Sequence, residues 1–214
     1  MRRRVGVLIS GRGSNMASLI DAARDPSYPA EIAVVIANRP DAAGLARARE
    51  AGVAAHAVDH RPFRGDRAAH EARINARLTE AGVEIVCLAG YMRLLTPLLV
   101  NAWRGRMLNI HPSLLPAFPG LHTHARALAA GVKLHGCTVH LVTETMDEGP
   151  ILAQAAVPVL EGDDADTLAA RVLVQEHVLY PAALRAFASG QAGAAAPGTA
   201  ALRNPLSVTN DGAA

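Results

Sequence analysis

Apolar and polar positions in the first 90 residues follow a pattern that predicts strands and helices in alternation. An apolar, β-branched run at 5–9 ends in Ser-Gly-Arg-Gly-Ser-Asn, and Met16, Leu19 and Ile20 then recur at helical spacing. Similar runs predict strands at 31–37, 54–58 and 84–89, and helical segments at 42–51 and 66–81. This alternation predicts an α/β fold, a Rossmann-like and mostly parallel sheet with helices on both faces.

The pattern changes after residue 90. The predicted helices there are 97–103, 122–130 and 164–189, and the predicted strands are 107–110, 137–143 and 151–159. A loop at 112–120 is dense in proline, and rigid loops of this kind often shape a binding site. We expect one folded domain over 1–189 and a disordered tail over 190–214, which is rich in Ala, Gly and Pro.

Composition narrows the class of protein. Half of the 214 residues are hydrophobic, which suits one globular domain and excludes a disordered chain. No apolar stretch approaches the ~18 residues of a membrane span, and the run at 5–9 is too short for a signal peptide, so we expect no membrane partner and no secretion. The 21 basic residues are spread along the chain against 19 acidic ones, which leaves no basic stripe for nucleic acid.

The segment 11–15, Gly-Arg-Gly-Ser-Asn, lies where the first predicted strand passes into a helix. Glycines allow close backbone approach, and the free N–H groups and dipole of a helix N-terminus attract anions. The segment therefore predicts a phosphate site held chiefly by backbone rather than by basic side chains. The dinucleotide fingerprint is absent, because Met16 replaces its third glycine and Asn38, not an acid, ends the second strand. A tight turn capped by Ser or Asn is the alternative.

Asn109 and His111 form the most specific candidate pair. They lie two residues apart at the end of a predicted strand, so both side chains leave the same face, and Pro112 keeps His111 out of helical geometry. An amide donor and an imidazole aimed at one point can stabilise a developing oxyanion. The alternative is a buried histidine whose ring is satisfied by the backbone.

Two acidic residues and one more histidine are candidates for supporting roles. The turn Met-Asp-Glu-Gly-Pro at 146–150 lies between two predicted strands, from which Asp147 can reach across to His111 and favour its charged, donating form. Glu176 lies on the last predicted helix, where an exposed charge is the default interpretation. His140 is interpreted as a packed, hydrogen-bonded histidine beside the site.

Metal and redox chemistry are not favoured by the spacing of histidines and cysteines. Five of the nine histidines fall between 111 and 140, but no HExxH occurs. His122 and His124 are two apart on a predicted helix and so do not share a face, and we expect no metal. Cys87 and Cys137 are too far apart for a local redox motif or disulfide framework, which favours the cytoplasm.

From about residue 5 to 189 the chain resembles the phosphoribosylglycinamide formyltransferases, folate-dependent enzymes of purine synthesis. The motifs that carry the resemblance occur in order: ISGRGSN at 9–15, LAGYMR at 88–93, LNIHPSLLP at 108–116, PGLHTH at 119–124, DEGP at 147–150 and QEH at 175–177. Several ordered motifs make a chance match very rare. The resemblance implies a nucleotide-binding N-terminal half and a folate-binding C-terminal half.

The resemblance also implies roles for individual residues. Asn109, His111 and Asp147 correspond to a catalytic trio. The residues that would bind the substrate's phosphate and ribose are Gly11, Gly13, Ser14, Asn15 and Glu176. Those that would contact the cosubstrate, 10-formyltetrahydrofolate, are Arg67, Met92, Arg93, Leu94, Leu95 and Asn109. Glu148 stands where some relatives have glycine and is expected to point outward.

A direct transfer follows from these roles. The glycinamide amine attacks the formyl carbon, and Asn109 with protonated His111 binds the oxyanion. Asp147 keeps His111 charged and helps to move a proton toward N10 of the folate. The expected partners are small molecules only, without a metal, in a monomer or homodimer.

Three other functions carry related features. Methionyl-tRNA formyltransferase and formyltetrahydrofolate deformylase share the Asn-x-His-Pro-Ser and Asp motifs, but the first has an extra C-terminal domain and the second an extra N-terminal one. Here the motifs begin at residue 5 and about 25 residues follow the last predicted helix, so we expect neither addition. A non-catalytic nucleotide-binding module is the alternative from a different class, against which the intact trio argues.

Overall fold

The computed structural model describes residues 1–191, which form a seven-stranded sheet with helices on both faces. The strands are β1 (Arg3–Ile9), β2 (Ala30–Ala37), β3 (Ala55–Ala57), β4 (Ile85–Leu88), β5 (Met107–His111), β6 (Leu134–Leu141) and β7 (Ile151–Pro158). The helices are α1 (Ser14–Ala23), α2 (Ala43–Glu50), α3 (Arg67–Glu80), α4 (Pro97–Ala102), α5 (Thr123–Ala129) and α6 (Ala165–Ala188).

The strand order is β3-β2-β1-β4-β5-β6-β7, which confirms the predicted α/β fold with a mostly parallel sheet. Strands β1 to β5 pair in parallel, and β6 and β7 are added antiparallel at one edge. Strand β2 pairs with β1 on one side and β4 pairs with β1 on the other, so the direction in which strands are added to the sheet reverses at β1. Ligands bind in α/β sheets at such a reversal, outside the carboxyl ends of the strands.

The apolar run of β1 is buried on both sides because helices cover both faces of the sheet. Val7 and Ile9 pack into a core with helices α1, α2, α5 and α6, whereas Leu8 faces the opposite core with α3 and α4. Alternate residues of one strand thus serve two cores. This placement fixes the carboxyl end of β1 and the loop that follows it.

Several predicted boundaries differ from the structure. The strand predicted at 137–143 is Leu134–Leu141, because His135 and Gly136 already pair with β7. The strand predicted at 54–58 is only Ala55–Ala57, and a short 3-10 helix at Arg61–Phe63 was not predicted. Apart from Gly190 and Gln191, the predicted tail lies outside the described residues. Within residues 1–191, no helix is long and apolar enough to cross a bilayer.

Candidate active site

The loop between β1 and α1 presents an uncapped helix N-terminus. Gly13 is the N-cap residue, in a left-handed conformation with φ 69°, and no side chain caps the first turn. The predicted alternative, a turn capped by Ser14 or Asn15, is therefore wrong. Gly44 of α2 donates its N–H to the carbonyl of Gly11 at 3.0 Å and holds the loop from behind. The first N–H groups of α1 remain available for an anion.

Asn15 connects this loop to the last helix. Its side-chain amide donates to a carboxylate oxygen of Glu176 at 2.6 Å, and both side chains are buried. The interpretation of Glu176 as an exposed charge is wrong, because α6 packs against α1 and turns this residue inward. Burial raises the pKa of the Glu176 carboxyl group. Glu176 is thus a hydrogen-bonding carboxylate held next to the loop between β1 and α1.

A cleft of about 540 Å³ opens in front of the loop. Arg12, Arg39 and Arg93 line it, so the surroundings of the loop are more basic than the sequence predicts. The cleft unites the loop after β1, the end of β2 and the segment after β4, because these parallel strands end at one edge of the sheet. Its lining residues are Ser10, Gly11, Arg12, Gly13, Ser14, Asn15, Asn38, Arg39, His60, Ala89, Gly90, Met92 and Arg93.

Asn109 is oriented by a histidine on the neighbouring strand. Antiparallel pairing places Asn109 opposite His140, and the amide nitrogen of Asn109 lies 3.1 Å from Nε2 of His140. The carbonyl of Leu141 lies 3.0 Å from Nδ1 of His140, so Nδ1 is the protonated nitrogen and Nε2 the acceptor. Burial lowers the pKa of His140, which favours the neutral ring. His140 is therefore the packed, hydrogen-bonded residue predicted, and it also holds the amide of Asn109.

Both ring nitrogens of His111 face oxygen acceptors. Nε2 lies 3.0 Å from the carbonyl of Phe118, and Nδ1 lies 3.5 Å from a carboxylate oxygen of Asp147. Only the doubly protonated imidazolium can donate to both acceptors. The contact to Asp147 is long for a hydrogen bond, so Nδ1 can also donate to a ligand placed beside that carboxylate.

Asp147 lies on the turn between β6 and β7, in a left-handed conformation with φ 59°. Its Oδ2 accepts a hydrogen bond from the backbone N–H of Gly120 at 2.8 Å, and its Oδ1 lies 3.8 Å from Nε2 of His140. The side chain is buried, whereas Glu148 beside it is exposed, as predicted. One carboxylate thus faces both histidines of the site.

The proline-rich loop is fastened to the antiparallel edge of the sheet. Oγ1 of Thr138 donates to the carbonyl of Ser113 at 2.7 Å and accepts from the N–H of Leu115 at 3.0 Å. The Gln154 amide donates to the carbonyl of Leu115 and to Oγ1 of Thr138. These bonds fix the loop whose carbonyl at Phe118 holds His111.

Residues 92–95, which the resemblance assigns to folate binding, have an exposed apolar edge. Met92 and Leu94 are 67% and 60% exposed, whereas Leu95 packs against the core with α3 and α4. Arg67 is the first residue of α3, and its Nη1 lies 3.5 Å from the carbonyl oxygen of Leu94. The structure therefore brings Arg67 next to this segment, and Arg93 lines the cleft.

His124 and His135, which lie outside the Asn109–His111–Asp147 cluster, pack against each other. The rings of His124 and His135 meet edge to face with centroids 5.2 Å apart, and burial lowers the pKa of His135 to about 4. Among residues 1–191, no group of three or more histidine, cysteine, aspartate or glutamate side chains is placed to hold a metal ion.

Sequence reasoning missed two parts of the site. Asn38 and His60 line the cleft, and Nδ1 of His60 lies 2.8 Å from the carbonyl of Asn38. The only available signal was the position of Asn38 at the end of a predicted strand. The pairing of Asn109 with His140 was also missed, since the partners are 31 residues apart and meet only through strand register.

The α/β sheet thus carries an uncapped helix N-terminus, which can bind an anion, and an Asn–His–Asp cluster, which can stabilise charge on an oxygen; this pair of features is typical of enzymes that act on phosphorylated small molecules. Residues 3–184 match the formyl transferase family, and the chain belongs to that family.

Individual relatives agree with this assignment. The phosphoribosylglycinamide formyltransferase of Escherichia coli is 45% identical over 185 residues, which cover 86% of this chain and 87% of the relative. The crystal structure of the phosphoribosylglycinamide formyltransferase from Brucella melitensis has a TM-score of 0.84 and 58% identity, and the match covers 91% of this chain and all of that one. The trifunctional purine biosynthetic protein adenosine-3 of Bos taurus is 49% identical over 88% of this chain, which spans only 19% of that protein.

Proposed function

We propose that the protein transfers the formyl group of 10-formyltetrahydrofolate to the amine of 5-phosphoribosylglycinamide, a step of de novo purine biosynthesis. The observation that carries this proposal is the convergence of Asn109, His111 and Asp147 at the carboxyl end of β5. Strand β4 separates β5 from β1, whose carboxyl end carries the phosphate loop. Two relatives matched over most of their length carry the name of this activity.

The ribonucleotide is held at its phosphate and its ribose. The free N–H groups of Gly13, Ser14 and Asn15 at the start of α1 bind the phosphate, and the arginines of the cleft supply positive charge. The second carboxylate oxygen of Glu176 accepts hydrogen bonds from ribose hydroxyls, since Asn15 already occupies the first. The amine then points away from β1 toward β5.

The folate lies along the exposed edge of the segment 92–95. Met92 and Leu94 offer apolar surface to the flat pterin, and Arg67 and Arg93 offer cations to the carboxylates of the folate tail. The formyl carbon, carried on N10, is thereby presented to Asn109.

The reaction is a direct acyl transfer. The amine nitrogen attacks the formyl carbon, a C–N bond forms, and the carbonyl oxygen becomes an oxyanion that accepts from the amide of Asn109 and from Nδ1 of His111. Asp147 stabilises the charged form of His111 and helps to carry the proton from the attacking nitrogen to N10. The bond from carbon to N10 then breaks, which leaves formylated ribonucleotide and tetrahydrofolate.

To test the proposal, the protein is incubated with a 10-formyl folate and the ribonucleotide. The absorbance of deformylated folate is then followed. Formation of deformylated folate only when the ribonucleotide is present supports the proposal. Deformylation without the ribonucleotide indicates a deformylase instead, and the absence of product under both conditions indicates a non-catalytic binding module. Either result overturns the proposal.

The proposal extends to the setting of the reaction. The catalytic unit spans 1–189, which includes every helix and strand among residues 1–191. Cys87 and Cys137 are free and buried, which is compatible with a reducing cytoplasm. The substrates are small molecules, and the protein acts as a monomer or homodimer.

A further inference from the structure

A buried carboxylate that the mechanism does not use lies behind residues 92–95, the folate segment. Glu71, on α3, is 2% exposed, and its two carboxylate oxygens accept hydrogen bonds from the same residue, Thr96. The backbone N–H of Thr96 donates to Oε1 at 2.9 Å, and its hydroxyl donates to Oε2 at 2.5 Å. A bidentate contact of this kind fixes both the position and the direction of Thr96.

Thr96 connects the folate segment to α4. It is the N-cap residue of α4 and makes no side-chain cap of its own, because its hydroxyl is turned to Glu71. At the other end of the segment, the N–H of Met92 donates to Oγ of Ser10 at 2.8 Å. The segment 92–95 is therefore a short loop without regular structure, held at its start by Ser10 and at its end by Glu71.

Between these two attachments the side chains alternate. Tyr91 and Leu95 pack against the core with α3 and α4, whereas Met92 and Leu94 stand out from it and are exposed. This alternation resembles that of a strand, in which the backbone path decides which side chains face the ligand. A shift at Thr96 would change the direction of Leu94 and Leu95, since they directly precede it.

We infer that Glu71 is a positioning residue for the cosubstrate: through Thr96 it holds the segment 92–95 in the shape that binds the folate. The inference rests on the proposed function, because it takes this segment as the folate site. It assigns Glu71 no contact with either substrate and no part in proton transfer.

The same helix pair contains a matched control. Asn75, one turn after Glu71 on α3, accepts a hydrogen bond from Nε1 of Trp103 at 2.9 Å, just past the far end of α4. Asn75→Ala removes a partly buried hydrogen bond between α3 and the residue that follows α4, without touching the folate segment. A general loosening of the two helices would affect both contacts, whereas a positioning role belongs to Glu71 alone.

The experiment measures kcat and both KM values for Thr96→Val, Thr96→Ser, Glu71→Gln and Asn75→Ala, with melting temperatures for each. Loss of one hydrogen bond predicts a rise of roughly 3- to 10-fold in the KM for the 10-formyl folate in Thr96→Val. Its kcat and its KM for the ribonucleotide should stay within about twofold of wild type. Thr96→Ser can keep both hydrogen bonds, and Glu71→Gln can keep both if its amide nitrogen donates to the hydroxyl of Thr96. Both variants should therefore retain the wild-type folate KM, and Asn75→Ala should lower only the melting temperature.

Two outcomes of the kinetic comparison overturn the inference. In one, folded Thr96→Val keeps the wild-type folate KM; in the other, Asn75→Ala raises that KM as much as Thr96→Val does. Calorimetric titration of each protein with the 10-formyl folate separates this inference from the proposed function. If wild type binds the folate without turnover, the proposed function fails while the dissociation constants still test Glu71. If wild type does not bind it at all, both fail.

Discussion

The side-chain amide of Asn109 lies 3.1 Å from Nε2 of His140, on the adjacent antiparallel strand. Because Nδ1 of His140 is engaged by the carbonyl of Leu141, the neutral ring can only accept from the amide. One N–H of Asn109 is thus occupied inside the protein, and this sets the direction of the other. In the proposed mechanism, the oxyanion donor Asn109 is therefore oriented before any substrate binds.

Replacement of His140 should therefore impair catalysis without contact with substrate. His140→Phe removes the acceptor and lets the amide of Asn109 rotate, which we expect to lower kcat by roughly 10-fold with little change in either KM. His140→Gln offers a carbonyl oxygen to the same amide and should recover part of the loss. Equal losses in both variants would show that the acceptor is not what matters. Steady-state kinetics on the two variants decides.

Asp147 should contribute through its charge. Asp147→Asn can still accept from the N–H of Gly120 but no longer presents a negative charge to His111 and His140. We expect kcat to fall by roughly 10²- to 10³-fold with the fold retained. Steady-state kinetics and melting temperatures of Asp147→Asn and wild type measure the effect. A kcat near the wild-type value in the folded variant would contradict the proposed ion pair.

Gly149 should tolerate no side chain. A Cβ built there would lie 1.7 Å from the carbonyl oxygen of Leu141, which is backbone and cannot move aside. We expect Gly149→Ala to displace the turn that carries Asp147 and to destabilise the protein by about 2 kcal/mol or more. A Cβ built at Gly162 would have no atom within 4 Å. Gly162→Ala should therefore lower the free energy of unfolding by only about 1 kcal/mol, because alanine disfavours the left-handed backbone there. Urea unfolding of both variants measures the difference.

Stability should fall as the solution becomes acidic, because of His135. Burial lowers its pKa in the folded protein to about 4, below the ordinary value of 6.5, so the unfolded chain binds more protons between these two pH values. Folding free energy is therefore retained above pH 6.5 and lost as pH falls toward 4, by up to about 3 kcal/mol from this group. His135→Leu should show a weaker pH dependence in urea titrations at pH 7 and pH 4.5. An unchanged dependence would rule out this assignment.

The sequence predicts those parts of the site that depend on neighbouring residues. The loop at 11–15 follows from a strand, two glycines and a helix in direct succession, and the shared face of Asn109 and His111 follows from their spacing of two. Both features depend only on local backbone geometry. Asp147 is a candidate because its turn lies between two predicted strands, but only the resemblance assigns it to the catalytic trio.

Features that depend on tertiary packing could not be predicted from the sequence. Glu176 reads as an exposed helical charge until α6 is packed against α1, which buries it beside Asn15. The pairing of Glu71 with Thr96 requires the relative placement of α3 and α4, which no periodicity encodes. The arginines of the cleft come together only because β1, β2 and β4 end at one edge.

The most direct test of the oxyanion site is a single-turnover experiment with wild type, Asn109→Ala and His111→Ala, in which formylated ribonucleotide is quantified by mass spectrometry. The account predicts formation of this product by wild type and a rate lower by roughly 10²- to 10³-fold in each variant, with the melting temperature nearly unchanged. Near-wild-type rates in either folded variant would contradict it.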